Sequence, residues 1–509
     1  MAQVSKIDSN VTGSRIAKEA SPKVLPGTPD WYPYAPNSYD NAGGNISTVA
    51  SNPINDSRQR KKGVTTDLEA GGGQNLDLTQ TALENILDGF LYAAYITKGE
   101  FEAVTSIDAA SDEYRGASGL DIYPVGSLVF ASGFADSANN GLKRVTSSAA
   151  GAIGVAEALV DDASPASGHK LVEVGVQAGA GDIDVDVSGT YPALTSTTLD
   201  FTTLGLTVGE FIFVGGDTAT LRFSNSANNG FKRIRSIAAN SMELDKSDST
   251  MVTEASTTET VQIFMGRLLK NRGGSNIVKN TYQWERTLGA PDDSSPSDIQ
   301  AEYLLGCRPN QMVFNIEAAD KITVDMSFVA EDVEYNEGST GVKSGNRPTA
   351  AAASIFNTSS DFSRISMHQV TNGDEAPADL FSFITDLTLT INNNVTVNKA
   401  VGVLGACGAS IGTFEVSASM TAYFSNVTAI NAVRNNANVT LDFAIAKENA
   451  GMVFDLPLVT LGDARADIQQ DQPITLPISV DAASGETLST DLNHTLQIVV
   501  FDYLPTLAQ

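Results

Sequence analysis

Three histidines, two cysteines and 60 carboxylates are the groups with most chemistry to offer in this 509-residue chain. His169, His368 and His494 lie far apart and share no motif, so each reads as a surface or packed residue rather than a ligand. Cys307 and Cys407 stand alone and make neither a disulfide framework nor a zinc site. No Gly-x-Ser-x-Gly elbow, phosphate loop or His-Glu-x-x-His is present, and the run Gly71 to Gly73 lacks the Lys-Ser/Thr of a phosphate loop. Asp182, Asp184 and Asp186 alternate in GDIDVDVSG, but the glycine and distal glutamate of an EF-hand loop are missing. That spacing suits a solvated strand face. Carboxylate pairs arise by chance among so many acids, so the sequence alone leaves a glycosidase-like pair open. The reading is of a non-enzyme with no cofactor and no metal.

What these carboxylates can do is repel. The formal net charge is −28, and DNA affinity rests on cations that neutralise phosphates. The charge is unevenly spread. Residues 1–62 hold eight Lys/Arg against five Asp/Glu, a net of +3, which leaves −31 on the remainder. A basic arm on an acidic body either docks onto a neighbouring copy or stays a solvated tail. Trp31, Tyr32 and Tyr34, with Arg58, Arg60, Lys61 and Lys62, are the residues by which such an arm would join one copy to the next.

The elements around these groups are mostly strands. In Leu387, Leu389 and Ile391, and again in Phe414, Val416, Ala418, Met420, Ala422 and Phe424, apolar residues alternate with polar ones. Ile322, Val324, Met326 and Phe328 do the same. Period two gives each strand one buried and one wet face, the mark of antiparallel sheets or barrels. Asp325, Asp386 and Glu415 fall on the wet side. One helix is predicted between Asp77, a candidate N-cap with Gln80 three residues on, and Ala94. Its apolar stripe is Leu83, Ile86, Leu87, Phe90 and Leu91. Gly63 to Ala70 reads as a strand closed by the glycine run, and Val427 to Ala437 as a short second helix.

The chain divides into an extended N-terminal arm (1–60), a first core part with strand and helix (61–101), two inserted β-repeats (102–177 and 178–268) and a second core part (269–509) with a long loop at 336–376. The repeats are marked by Ser137–Gly141 and Ser226–Gly230, both reading SANNG and both followed by x-Lys-Arg-x, a turn and a returning strand. A weaker repetition sets TYQWERTL, LLGC and KITVDMSF beside DLTLTINN, LGAC and GTFEVSASMTAYF, which suggests a duplicated core. No run approaches 18 apolar residues and no apolar leader opens the chain, so neither membrane nor secretion is expected.

RQRKKGVTTDLEAGGGQNLDLTQTALENIL resembles the tail tube (major tail) proteins of long-tailed bacteriophages. So do NTYQWERTLG, AEYLLGCRPNQMVFNI, KITVDMSFVAED, DLTLTINNNV, the GTFEVSASMTAYF strand, LPLVTLGDA and HTLQIVVFDYLP. The likeness covers roughly 58–101 and 278–505; the 102–268 insertion departs from a minimal tube protein. It implies a mainly β fold: an antiparallel barrel or sandwich with one flanking helix, plus the inserted pair of small β-domains. It further implies a virion protein, made in the host cytoplasm, that self-assembles into stacked rings. The rings would be hexameric, or trimeric with pseudo-sixfold symmetry, and would meet other tail proteins at the tube ends. DNA would pass without specific binding, and Asp325, Asp386 and Glu415 would line the channel. An adhesin or surface-layer-like binding protein is the alternative.

Overall fold

The computed structural model describes residues 6–52, 54, 56, 59–291, 298–350, 353–369, 380 and 383–508. Strand accounts for 49% of the chain and the sheets do not close on themselves, so a single copy is a sandwich of antiparallel sheets rather than a barrel. Outside the inserted segment, β1 is Gly13–Lys18, β2 Tyr32–Tyr34, β3 Pro36–Ser51 and β4 Lys61–Asp77, followed by helix α1, Leu87–Leu91. After the insertion come β5 (Arg267–Lys270), β6 (Tyr282–Gly289), β7 (Gln300–Glu317), β8 (Thr323–Ala330), β9 (Asp332–Glu337) and β10 (Phe362–Gln369). Then follow β11 (Ile384–Asn392), β12 (Thr396–Asn398), β13 (Gly408–Ser410), β14 (Glu415–Tyr423), helix α2 (Thr428–Arg434), β15 (Val439–Lys447), β16 (Ala450–Gly462), β17 (Thr475–Ala483) and β18 (Gln497–Phe501).

One layer is a continuous run of eight strands in the order β3-β4-β8-β7-β11-β14-β17-β16. The alternating sequence builds it. Val324, Met326 and Phe328, Leu387, Leu389 and Ile391, and Val416, Ala418 and Met420 all point into the main core. The second layer covers that core with β1, β2, β6 and β9 on one side and β10, β15, β18 and β5 on the other. Two long strands belong to both layers. The first half of β7 pairs with β6 and β9, its second half with β8 and β11, and the register shifts beside Pro309. The first half of β16 pairs with β15 and β18, its end with β17, and Pro457 lies at the change. A proline cannot donate to the ladder, so each break in pairing falls where a strand must bend from one sheet to the other.

Several expectations are corrected. The helix is short: before Leu87 the chain makes tight turns, with Ala82, Glu84 and Ile86 N–H groups donating to carbonyls three residues back. Asp77 ends β4 and pairs with Lys321 at 2.7 Å instead of capping a helix. Leu83, Ile86, Leu87, Phe90 and Leu91 are nonetheless buried; burying the stripe requires only that the turns face the core. Tyr92, at φ 47°, stops the helix. The glycines at 71–73 do not close a strand but lie inside β4, where a Cβ on Gly72 would sit 2.3 Å from the Ala42 Cα. They let β3 and β8 approach β4 from both sides. Much of the expected 1–60 arm is built into the sheets: β1 is hydrogen-bonded between β6 and β2, and β3 lies in the eight-stranded layer. Part of the expected 336–376 loop is strand β10, paired with β15. The Leu305–Cys307 segment lies in β7 with Cys307 buried, whereas Leu404 is 54% exposed in a loop; the two segments are not structural counterparts.

The inserted strands form a sheet of their own with two apolar cores, one around Tyr114, Val129 and Val145 and one around Phe201, Ile212 and Ile234. The SANNG turns explain themselves. Asn140 and Asn229 each accept from the N–H of Phe134 or Phe223 and donate back to the same residue's carbonyl. Asn139 and Asn228 are fully buried and hold Val160 and Val252. Lys143 and Lys232 reach back to the Ala138 and Ala227 carbonyls. The motif is a structural clamp. A third cluster joins insertion to core, with Phe211, Phe213 and Phe231 against Val453, Val499 and Phe501. Beside it Lys246, 1% exposed, pairs with Asp455 at 2.7 Å and Asp442 at 3.0 Å; Arg233 adds a second cation on Asp455, and Arg364 joins Asp442 to Asp248.

Candidate functional site: one polar sheet face

In an antiparallel pair, residues directly opposite each other share a face. Asp325 faces Asn75 on β4 and Val313 on β7; Glu317 on β7 faces Asp386; Asn392 faces Glu415. The three carboxylates singled out from the sequence therefore lie on one face of one sheet, on β8, β11 and β14. Asp325 is exposed and accepts from Asn75 and Asn315, both at 2.7 Å, which ties three strands together. Asp386, half-buried, accepts from Thr385 at 2.9 Å and Thr421 at 3.3 Å. Glu415 is exposed at the start of its strand.

The registers extend the face. Thr388, Ser419 and Ser479 form one row, and Thr390, Ser417 and Asp481 the next; Asp40 and Asp77 lie at the β3–β4 side. Over the stretch from Asp40 to Gly462, the described strand residues on this face are mostly Ser, Thr, Asn, Gln, Asp and Glu, with an occasional Val, Leu, Ala, Tyr, Pro or Gly. Arg308 on β7, opposite Val329, is a cation among them; its side chain is largely buried and lies 3.9 Å from Glu331. The sequence missed Asp40, Glu317 and Asp481, because their face is set by long-range register. The other face is the main core, so only the polar side is free to meet anything.

His169 and His494 hold structural places. His169 stacks on Phe134 with centroids 5.0 Å apart. His494 is buried beside the insertion, and burial lowers its pKa to about 3, so it stays neutral. The side chain of His368 lies outside the described residues. Asp182 accepts from Ser196 at 2.7 Å and from the Thr198 N–H, fastening a turn. Among the described residues no group of three or more His, Cys, Asp or Glu is arranged to hold a metal.

A family model described as phage tail tube protein matches residues 9–482. This chain belongs to the phage tail tube protein family. It is a structural protein of the virion tail, and the match runs from β1 to β17, well beyond the segments that carried the sequence resemblance. A search of curated proteins finds no match.

In this tail tube protein the residues expected to form an inter-copy arm are dispersed. Trp31 is fully buried, edge-on to Tyr303 at 5.8 Å and donating to the Ser344 carbonyl, so it serves its own chain's core. Tyr32 and Tyr34, on β2, are half-buried. Arg60, Lys61 and Lys62 are exposed at the far end of the β3–β4 hairpin, whose strands there pair only with each other. Arg58 lies outside the described residues.

Proposed function

We propose that three copies of this chain close their eight-stranded sheets into one ring, and that stacked rings form a tube whose bore is the polar face. The observation that carries the reading is that face itself: unbroken, acidic, backed by the core, and with its strand cation Arg308 largely buried beside Glu331. A carboxylate facing the bore repels phosphates and releases no counterions, so a passing duplex meets mostly repulsive side chains and little that grips it.

Two features favour three copies. With β5 and the small β12–β13 hairpin set aside, the order hairpin, helix, strand, bent strand, strand occurs twice: β3-β4-α1-β6-β7-β8 and β11-β14-α2-β15-β16-β17. Each set contributes four neighbouring strands to the layer, and the inserted segment interrupts only the first. The junction of β7 with β11 inside the chain then serves as the template for that of β16 with β3 of the next copy, which would remove both free edges. Size points the same way. Three times eight strands, spaced about 4.8 Å and tilted about 40°, close at a backbone radius of roughly 24 Å. That accommodates a duplex with side chains and water; six copies would double it.

Electron microscopy and native mass measurement of the purified protein test this: hollow rings of three chains are expected, and monomers or solid fibres would refute it. Tails assembled with Asp325→Lys, Asp386→Lys and Glu415→Lys should eject DNA slowly at low salt and recover at high salt. Parental ejection at low salt from intact tubes would remove these side chains from the bore.

A further inference from the structure

The two ends of the polar-faced sheet are exposed and complementary. We propose that they are the docking surfaces by which one copy seats head to tail on a second copy, an inference that rests on the tube reading above.

At one end, the segment between β11 and β14 folds as the small β12–β13 hairpin. Val401, Val403 and Leu404 near its tip are 107%, 47% and 54% exposed. The hairpin is held against the β3–β4 ribbon by Lys399, which pairs with Asp67 and Glu69. At the opposite end, where β11 and β17 start and β14 finishes, Phe383, Tyr423 and Val427 are 72%, 42% and 59% exposed. Backbone bonds of 3.0 Å from Tyr423 to Phe383 and from Phe424 to Ile474 hold this end together. β11 spans about 30 Å, so one copy cannot cover its own patch with its own hairpin. Contiguous exposed apolar groups mark interaction sites. Neither Ala400–Phe414 nor Ala422–Val433 contains a charged residue. In a chain of net charge −28 these are the surfaces on which two copies can meet without repulsion.

A second match runs in the same direction. The ribbon formed by the outer halves of β3 and β4 exposes Ile46, Val49 and Val64, and it ends in Arg60, Lys61 and Lys62. A two-stranded ribbon is marginal alone. At the other end of β4 lies a cavity of about 480 Å³ whose lining sets Asp30, Glu84, Asp88, Glu100, Glu102 and Asp502 against Lys18, Lys170 and Arg267, with Tyr32 and Tyr95 between. The acids outnumber the bases by three, so the cavity keeps a negative balance; burial, then Asp30, Glu84 and Glu102, raise the pKa of Tyr32. Basic tip and acidic cavity, apolar hairpin and apolar patch thus share one polarity. Such a heterologous contact does not close and generates an open stack.

The experiment uses the full chain with Cys407→Ser and the pair Val403→Cys and Val427→Cys. Oxidised tubes should give a ladder of cross-linked chains, and the pair Val403→Cys with Val125→Cys should give none. Separately, Val401→Asp with Leu404→Asp should leave rings of parental mass that no longer stack. Tubes that form without a ladder, or tubes of parental length from the aspartate variant, would overturn the docking while leaving the ring intact. Absence of rings in the parent would instead remove the tube reading and this inference with it.

Discussion

Replacing Lys246 by Met removes the cation that faces both Asp442 and Asp455 where the insertion meets the core. Lys246 is 1% exposed and the side chains of both aspartates 0%. Taking away one partner of a buried pair leaves an uncompensated charge, which costs about 3–5 kcal/mol at neutral pH. Arg233 at 3.2 Å remains on Asp455, which places the expectation toward the lower figure. The assay is urea unfolding followed by the fluorescence of Trp31 and Trp284, both in the core and the only tryptophans. The pH dependence checks the cause. Burial pushes the Asp455 carboxyl up, but Lys246 and Arg233 outweigh it and hold it below the ordinary value. A depressed carboxylate contributes stability above its unfolded pKa of about 3.9, lost as pH falls through the folded value. Without Lys246 the folded site binds a proton more readily, so the deficit should shrink from pH 7.5 toward pH 5. The exposed Lys399→Met change should leave the midpoint where it is. A loss below about 1 kcal/mol for Lys246→Met, or a deficit that grows on acidification, would refute the account.

Other outcomes follow from single residues. Gly72→Val places a side chain against Ala42 at φ +146° and should destabilise the protein by more than about 1–3 kcal/mol in thermal unfolding. Asn228→Ala orphans the Val252 N–H and removes a 2.6 Å donor to Glu254, for a loss of about 1–3 kcal/mol read by denaturation. A thiol reagent should modify Cys407 in the native protein and Cys307 only after unfolding, since Cys407 is exposed while burial raises the Cys307 pKa.

The strands of the polar layer were legible because each has one face in the core, so burial writes a period of two into the sequence. Asp325, Asp386 and Glu415 could be picked out singly for that reason. Their common face could not, because it depends on how β8, β7, β11 and β14 pair. The helix was over-read because Leu83 to Leu91 must be buried whether the backbone is helical or in tight turns. Trp31 looked like part of an arm because its partners, Tyr303 and Ser344, are remote in sequence. Lys246, Asp442 and Asp455 carry no local signal at all; three isolated charges become a lock only once the insertion is seated. The repeated element order was also hidden, since the two sets share topology and bends at Pro309 and Pro457 more than residue types.

The junction of β7 with β11 has a consequence for how a ring comes together. In a ring of single-unit subunits every lateral seam must be met by collision, and each association surrenders translational and rotational freedom worth about 4–15 kcal/mol. In the proposed ring of three, every second seam would already be a covalent neighbour, formed when the chain folds and independent of concentration. Only the proposed seam from β16 to β3 would remain to be found by diffusion. A nucleus of three such bodies would form at lower protein concentration than one of six, and its partly built intermediates would expose fewer unpaired strand edges while they wait.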